Sequence, residues 1–454
     1  MEYLSLTAAQ HCILQHTTIL GVESIPLEKS LGRVLAEAVS ANRDHPPYAV
    51  SAMDGYALRA ADLHSIPATL DVIEDIKAGA MPTKMISTRQ CARIMTGAPI
   101  PPGADTVIRV EGTQLKSDDA VQVNQSAKPG EDIRLRGENL RNGEVVFNAG
   151  VEITPGVLGI LAMVKRTEIL VHRRPRVAIL SSGDELEGLH EPFDQHKIPD
   201  ANSYTLMAQA QALGIEPALL GIARDDAQEL SKYLKRGLEF DVLLVSGGTS
   251  VGVYDFVRPA LEALGVQMHF WRVAIRPGHP FAFGVKTSPA KVVEVDAAQG
   301  ARRAATQAYL ADRPGCEHLA TPRCAASDTF VFCLPGNPVS SMVCFEQFVA
   351  PALRRMMGHP RVYRRTLMAR LSHAIQHRPG RTDLVRVVLN HEAHGYVAEA
   401  TGSQGSGVLL SMAHADGLLH VPSESNGLAA GSEVCVQLLD GTDFQEHSGL
   451  EESA

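Results

Sequence analysis

The stretch Leu334-Pro335-Gly336-Asn337-Pro338-Val339-Ser340 constrains the fold of this chain more than any other. Residues 330–334, just before it, form a short apolar run of strand length. Residues 342–357, after it, carry the apolar spacing of an amphipathic helix that stops at Gly358. A strand that ends in Pro, Gly, Asn and Pro and then opens a helix leaves unpaired N–H groups at the helix start. Those groups and the helix dipole favour an anion. Two other apolar runs stop in polar, glycine-containing loops: Ser181-Ser182-Gly183-Asp184-Glu185 and Ser246-Gly247-Gly248-Thr249-Ser250-Val251-Gly252. Strand ends of this kind line one crevice of a parallel sheet, which is where open α/β sheets bind ligands.

The alternation around these loops agrees. Residues 177–180, 218–222 and 241–245 read as strands, with helices at 203–213, 226–238 and 256–264 between and after them. Asn202 or Ser203 and Asp225-Asp226 supply N-caps, and Gly214 supplies a stop. Residues 280–284 and 330–334 add later strands, giving a doubly wound parallel sheet. Ahead of it, Ser5 or Thr7 caps a helix running to residue 20, and Thr154-Pro155 opens another running to residue 163. Residues 46–147 hold short β-type runs broken by Gly, Pro and Asp; runs 106–110 and 120–123, joined through Ser117-Asp118-Asp119, predict a hairpin. Past Gly358, runs at 385–389, 417–421 and 434–438 predict a small C-terminal β-barrel or sandwich. The expected organisation is multidomain α/β and β. A discontinuous helical N-terminal domain (1–45 and 136–174) receives a β-rich insert (46–135). An α/β domain (175–359, with an insertion at 285–329) and a C-terminal β-barrel domain (360–442) follow.

Composition excludes several functions. A net charge of −9 argues against nucleic acid as the main partner, since phosphate contacts need clustered Lys and Arg. Seven cysteines without a C-x-x-C pair point to a reduced, cytoplasmic setting. The N-terminus has no basic segment followed by a long apolar one, and the most apolar run, 157–164, is far short of a bilayer span, so no membrane association is expected. His391-Glu-Ala-His394 fits no helical zinc motif and reads as a loop.

The carboxylates are more informative. Asp184 and Glu185 end one strand of the sheet, Asp225 ends the next, and Asp255 lies just past the glycine-rich loop. Each read alone is a cap or turn residue. Together they are hard oxygen ligands converging on a crevice, and around a phosphate such a set suits Mg²⁺. The glycines of residues 246–252 let backbone amides approach a phosphate closely. Arg276-Pro277-Gly278-His279 places two cationic residue types three positions apart, either as a surface turn or, beside residues 335–340, as an oxyanion pocket. Asp54-Gly55 and Thr96-Gly97 are, by pattern, turns.

The motifs Ser51-Ala-Met-Asp-Gly-Tyr-Ala57, Met95-Thr-Gly-Ala-Pro99, Arg136-Gly-Glu-Asn139, Ser182-Gly-Asp-Glu-Leu186, Ser246-Gly-Gly-Thr-Ser-Val-Gly252 and Leu334-Pro-Gly-Asn-Pro-Val-Ser340 occur in this order. In that order they resemble the molybdopterin molybdenumtransferases, the MoeA/gephyrin E-domain family. The resemblance implies insertion of molybdenum from molybdate into adenylylated molybdopterin with release of AMP. It implies a homodimer whose cleft is shared between subunits, with molybdopterin adenylyltransferase and molybdoenzyme apoproteins as further partners. By resemblance, Asp255 and Asp225 position Mg²⁺ and promote AMP release, and Glu185 joins them as a metal or nucleotide ligand. Asp54 and Thr96 would enter from a second subunit. Ser182, Gly183, Asp184, Ser246, Gly247, Gly248, Ser250, Gly336 and Asn337 would contact the nucleotide-pterin. Arg276, His279, Pro335, Pro338 and Ser340 would surround molybdate, with Arg381 and Ser403 or Ser406 assisting.

Three departures from the family pattern stand out. Asn139 replaces an Asp, keeping shape and losing charge. Arg276 and His279 replace a Lys pair, and an imidazole makes anion binding pH-dependent where a lysine does not. The insertion at 285–329 precedes the anion loop. They motivate a rival reading, a catalytically weak paralogue that delivers finished cofactor to an apoenzyme. A molybdopterin adenylyltransferase is a second rival, disfavoured because that activity needs only the sheet domain.

Overall fold

The computed structural model describes residues 3–248, 256–287 and 328–439. Two units emerge, one of Met1–Ala36, Gly150–Pro155 and Glu168–Ala454, the other of Glu37–Ala149 and Gly156–Thr167.

The first unit is built on helix α1 (Leu6–His16), strand β1 (Val177–Ser182), α2 (Ala201–Ala212), β2 (Ala218–Ala223), α3 (Ala227–Gly237), β3 (Val242–Ser246), α4 (Val257–Ala263), β4 (Gln267–Phe270), β5 (Ala282–Lys286), β6 (Thr329–Leu334) and α5 (Pro338–Cys344). The strands form one sheet in the order β2-β1-β3-β6-β5-β4. Every residue of β1, β3 and β6 is buried, as a sheet covered on both faces requires. One apolar cluster, including Leu6, Ile13, Leu206, Phe281 and Phe348, fills one side; another, including Leu230, Leu234, Val257 and Leu261, fills the other. β2, β1, β3 and β6 run parallel, whereas β5 runs antiparallel to both β6 and β4. The expectation of a wholly parallel sheet fails at this edge because no crossover helix separates β4 from β5, and a short return pairs strands antiparallel.

Caps fall close to the expected places. Ser5 accepts from Ala8 N–H and opens α1, which ends at His16 rather than near residue 20. The cap of α2 is Asp200, not Asn202 or Ser203. Its carboxylate accepts from the Ser203 N–H (3.1 Å) and from the hydroxyls of Ser203 (2.6 Å) and Ser181 (3.0 Å). Asp226 caps α3 through Gln228 and Glu229 N–H, which leaves the Asp225 side chain available. α5 starts at Pro338 and continues through a buried π-helical turn at Phe345–Val349 into Ala350–Met356; Gly358, at φ +80°, follows its end.

Asp241, at the foot of β3, is only 2% exposed and accepts hydrogen bonds from both terminal nitrogens of Arg173 and from the Arg176 backbone N–H. Burial alone would raise its carboxyl, but the hydrogen bonds from Arg173 and Arg176 outweigh burial and hold it below the usual aspartate range. Asp241→Ala is expected to lower stability by about 2–4 kcal/mol in urea unfolding at neutral pH. Because the folded carboxyl is depressed, this contribution is present above the unfolded value and lost as pH falls through the folded one. The variant and the native chain should therefore converge in acid.

Past Gly358 the chain forms a closed barrel: Thr382–Glu392 pairs with Gly395–Ala400 and Gly417–Val421, and Thr366–Leu371 and Glu433–Leu438 complete the ring. The short strand Ile275–Arg276 joins it, parallel to Thr382 and Asp383. The loop reading of His391-Glu-Ala-His394 holds only in part: His391 lies in the last residues of a strand, and only His394 lies in the adjoining hairpin turn.

The second unit carries a six-stranded sheet in the order Thr106–Arg109, Gly55–Leu58, Gln90–Ile94, Ala68–Ile76, Ala120–Val123, Thr113–Ser117. The expected hairpin of 106–110 with 120–123 is incorrect. Thr106–Arg109 pairs with Gly55–Leu58, and Ala120–Val123 makes its hairpin with Thr113–Ser117. Thr113–Ser117 is almost wholly exposed and polar, so it lacks the apolar alternation that marks a strand, and the 3₁₀ turn Val110–Gly112 redirects the chain unannounced.

Candidate functional site

Because β1, β2, β3 and β6 are parallel, their C-terminal ends open on one edge of the sheet. Ser182, Ala223, Ser246 and Leu334 are the last residues of those strands. The loops that follow are stitched together. Asn202 on α2 donates to Ser246 Oγ and to the Gly336 carbonyl, both at 2.7 Å. Gly247 N–H donates to the Leu334 carbonyl, and Gly183 N–H to that of Ala223. Sequence reasoning treated Asn202 as a cap and missed this bridge; only the register of α2 against β3 and β6 reveals it.

The glycines here are required by close approach. Gly247 has φ +91°, and a Cβ there would stand 2.3 Å from the Ser182 carbonyl oxygen. Gly247→Ala is expected to cost about 1–3 kcal/mol in urea unfolding. Gly221→Ala is the control, since φ is +102° but no atom lies within 4 Å of the added carbon. A smaller loss at Gly221 would separate the contact from the backbone strain.

The acidic residues cluster at one end of this edge. Asp225 N–H donates to Asp184 Oδ1 at 3.1 Å, and Arg224 donates to the Leu186 carbonyl at 2.8 Å, fixing the two loops together. Burial first, then the neighbouring charges of Asp184 and Glu185, raise the Asp225 carboxyl. A carboxylate made costly by other carboxylates is suited to a cation. The three do not close as a trio to a single metal's ligand spacing among the described residues. Ser250 and Asp255 lie outside the described residues, as does most of the expected 285–329 insertion.

At the start of α5, Asn337 is the N-cap residue without a side-chain cap bond. Its amide donates instead to Ser406 Oγ at 3.0 Å, and Val339 N–H donates to the Ser406 carbonyl. Ser340 is buried in the first turn, where N–H groups have no intrahelical acceptor. The loop carrying Ser406 is held by Arg386, a barrel residue only 1% exposed, which donates to the Gly405 and Ser403 carbonyls and to Ser411 Oγ. Arg386 gave no signal in sequence, where it sits in an ordinary apolar run.

The loop bearing Arg276 and His279 packs on α5: Cys344 Sγ donates to the Gly278 carbonyl, and a Cβ on Gly278 would meet that sulfur at 2.6 Å. The Arg276 guanidinium pairs with buried Asp383. His279 Nδ1 donates to the Val273 carbonyl at 2.8 Å, which leaves Nε2 as the ring nitrogen available to a ligand. Arg381 is exposed.

In the second unit, Asp54 Oδ1 accepts from Thr96 N–H (2.7 Å) and Thr96 Oγ1 (2.8 Å), and both residues are exposed. Those Thr96 bonds hold the Asp54 carboxyl below its ordinary range. The Arg136–Asn139 motif is fastened in the same way, by the Arg136–Asp44 ion pair and by Asn139 N–H to the His45 carbonyl.

Comparison with known proteins adds to this geometry. Residues 4–164 match the MoeA N-terminal region (domain I and II), residues 178–355 a probable molybdopterin binding domain, and residues 368–439 the MoeA C-terminal region (domain IV). A Nostoc sp. protein named molybdopterin molybdenumtransferase is 32% identical, over 91% of this chain and 88% of its own length. A Mycobacterium tuberculosis protein named molybdopterin molybdenumtransferase 2 is 33% identical, over 91% of this chain and 94% of its own. The crystal structure of the molybdopterin biosynthesis moeA protein from Pyrococcus horikoshii OT3 matches with a TM-score of 0.76 at 26% identity, covering 96% of this chain and 100% of that one.

Proposed function

Because the chain belongs to the MoeA family of molybdopterin molybdenumtransferases, we propose that it inserts molybdenum from molybdate into adenylylated molybdopterin, with AMP leaving. One observation carries the reading: a crowded carboxylate group, a close-approach glycine loop and a helix-start anion loop share one sheet edge. The glycine loop 246–248 and the Asn202 bridge hold the phosphates of the nucleotide-pterin. The start of α5, with Arg276 and His279, receives molybdate, a dianion suited to amide N–H groups and nearby cations.

Mg²⁺ fits the acidic group, since burial and then the charges of Asp184 and Glu185 make the ionised Asp225 costly without a cation. Asp225 and Glu185, with Asp255, would hold it, and the ion would neutralise charge on the cleaved phosphates. Asp54, pre-oriented by Thr96 on an exposed turn, serves the site of a second subunit in a homodimer. The unpaired thiols of Cys12, Cys91, Cys344 and Cys435 support a reducing, cytoplasmic setting, and no described helix is long and apolar enough to cross a membrane.

The test is AMP release from adenylylated molybdopterin with Mg²⁺, with and without molybdate, beside Asp255→Ala. Molybdate-stimulated release that disappears in the variant supports the proposal. Tight pterin binding without release would overturn it in favour of a delivery protein.

A further inference from the structure

Away from this crevice, α1 and the edge strand β4 bring together three metal-ligating side chains. Cys12 Sγ and one ring nitrogen each of His16 and His269 lie within 4.8 Å of one another. Among the described residues no other group of His, Cys, Asp or Glu closes in this way. The arrangement follows from the helix period. Leu6, Ala9 and Ile13 form the buried face of α1, while Cys12 and His16, four residues apart, share the adjoining face. Among the described strands β4 pairs only with β5, which places it at the edge of the described sheet.

The second layer is also that of a metal site. His16 Nδ1 lies 2.7 Å from the Cys12 carbonyl, which can only accept, so Nδ1 carries the proton and Nε2 presents its lone pair. Metal-bound histidines commonly donate their other N–H to a carbonyl in this way. The His16 and His269 ring centroids are 3.9 Å apart. Phe283 stacks on His269 at 5.6 Å and meets His16 edge-on at 6.0 Å, giving the site one apolar wall.

We infer that Cys12, His16 and His269 bind one Zn²⁺ ion through a thiolate and two imidazoles, with a fourth position open to water or an external donor. Tetrahedral bonds of about 2.0–2.3 Å place ligand atoms about 3.3–3.7 Å apart, so a trio already within 4.8 Å closes by no more than about 1.5 Å on binding. His16 is exposed and free to supply that movement. The Cys12 proton leaves to solvent as the Zn–S bond forms. Mg²⁺, which prefers oxygen, does not fit this donor set. The ion ties the N-terminal helix to the sheet edge and takes no part in the proposed molybdenum chemistry.

The full chain, in a non-chelating buffer with a phosphine reductant, is titrated with Co²⁺ and then Zn²⁺. A thiolate-to-cobalt charge-transfer band that saturates at one Co²⁺ per chain is expected, and Zn²⁺ displaces it. Cys12→Ser should abolish the band. His16→Ala, at an exposed position that spares the fold, should weaken Zn²⁺ binding by about 100-fold or more, beyond the effect of a second-layer contact. His391→Ala with His394→Ala should change neither. A native chain without the band, or a band and a Zn²⁺ affinity that survive both Cys12→Ser and His16→Ala, would overturn the assignment.

Discussion

Asp225→Asn should reduce molybdate-dependent AMP release by about 10²–10³-fold, the loss typical of removing one preorganised electrostatic contact, while making the unliganded chain more resistant to heat. The two effects share one cause. Burial and the charges of Asp184 and Glu185 raise the Asp225 carboxyl, so its ionised form is held against its electrostatic interest. For an acid whose folded value is raised, the sign is the reverse of the ion-paired case. The carboxylate penalises the folded state above the folded value, and the penalty vanishes as pH falls through it. Asn removes that penalty at neutral pH and changes nothing in acid. Melting curves of the two chains should therefore separate near neutrality and converge at low pH. Mg²⁺ should stabilise the native chain more than the variant, because the cation relieves the repulsion that Asn has already removed. A variant with native turnover and a native Mg²⁺ response would remove Asp225 from the proposed metal site.

How much of this was legible follows from how local each signal is. The strand ends at Ser182, Ser246 and Leu334 were readable because apolar runs stop abruptly in Gly and Pro, and β-strand length and helix period are properties of contiguous residues. Asp226 was readable as a cap for the same reason. The α2 cap was misplaced by a few residues because Asp200, Asn202 and Ser203 are all capping types, and the choice rests on Ser181, a residue of another strand. Thr113–Ser117 was missed because an exposed edge strand carries no apolar alternation. Asn202, Arg386 and Asp383 were missed as site residues because each acts across a distance in sequence, on Gly336, Gly405 and Arg276. Cys12, His16 and His269 escaped for the same reason: the spacing of a metal motif is visible only when its ligands share one segment.

Asp383 leads to the second large effect. Ile275 and Arg276 form a two-residue strand in parallel register with Thr382 and Asp383, so the backbone itself aligns the guanidinium with the carboxylate. The Asp383 side chain is 4% exposed and that of Arg276 54%, so the carboxylate is the fixed member and the arginine the one that faces outward. Fully buried His377 approaches the same carboxylate, Nδ1 to Oδ2 3.0 Å, yet neither ring nitrogen is aligned for a hydrogen bond. We read that contact as electrostatic proximity, since distance is met and direction is not. Asp383→Ala is expected to lower stability by about 2–4 kcal/mol, because a buried imidazole and a tethered guanidinium both lose their partner. It should also raise the KM for molybdate by about tenfold, the cost of about 1.4 kcal/mol of lost orientation, with a smaller effect on kcat. Arg276→Ala should raise KM at least as much. If Asp383 works by holding Arg276, the double variant will bind molybdate no worse than Arg276→Ala alone, although it will be less stable. Additive losses in KM would mean that Asp383 acts on the anion pocket by some other route, for example through the Ser403–Gly407 loop on the neighbouring barrel strand.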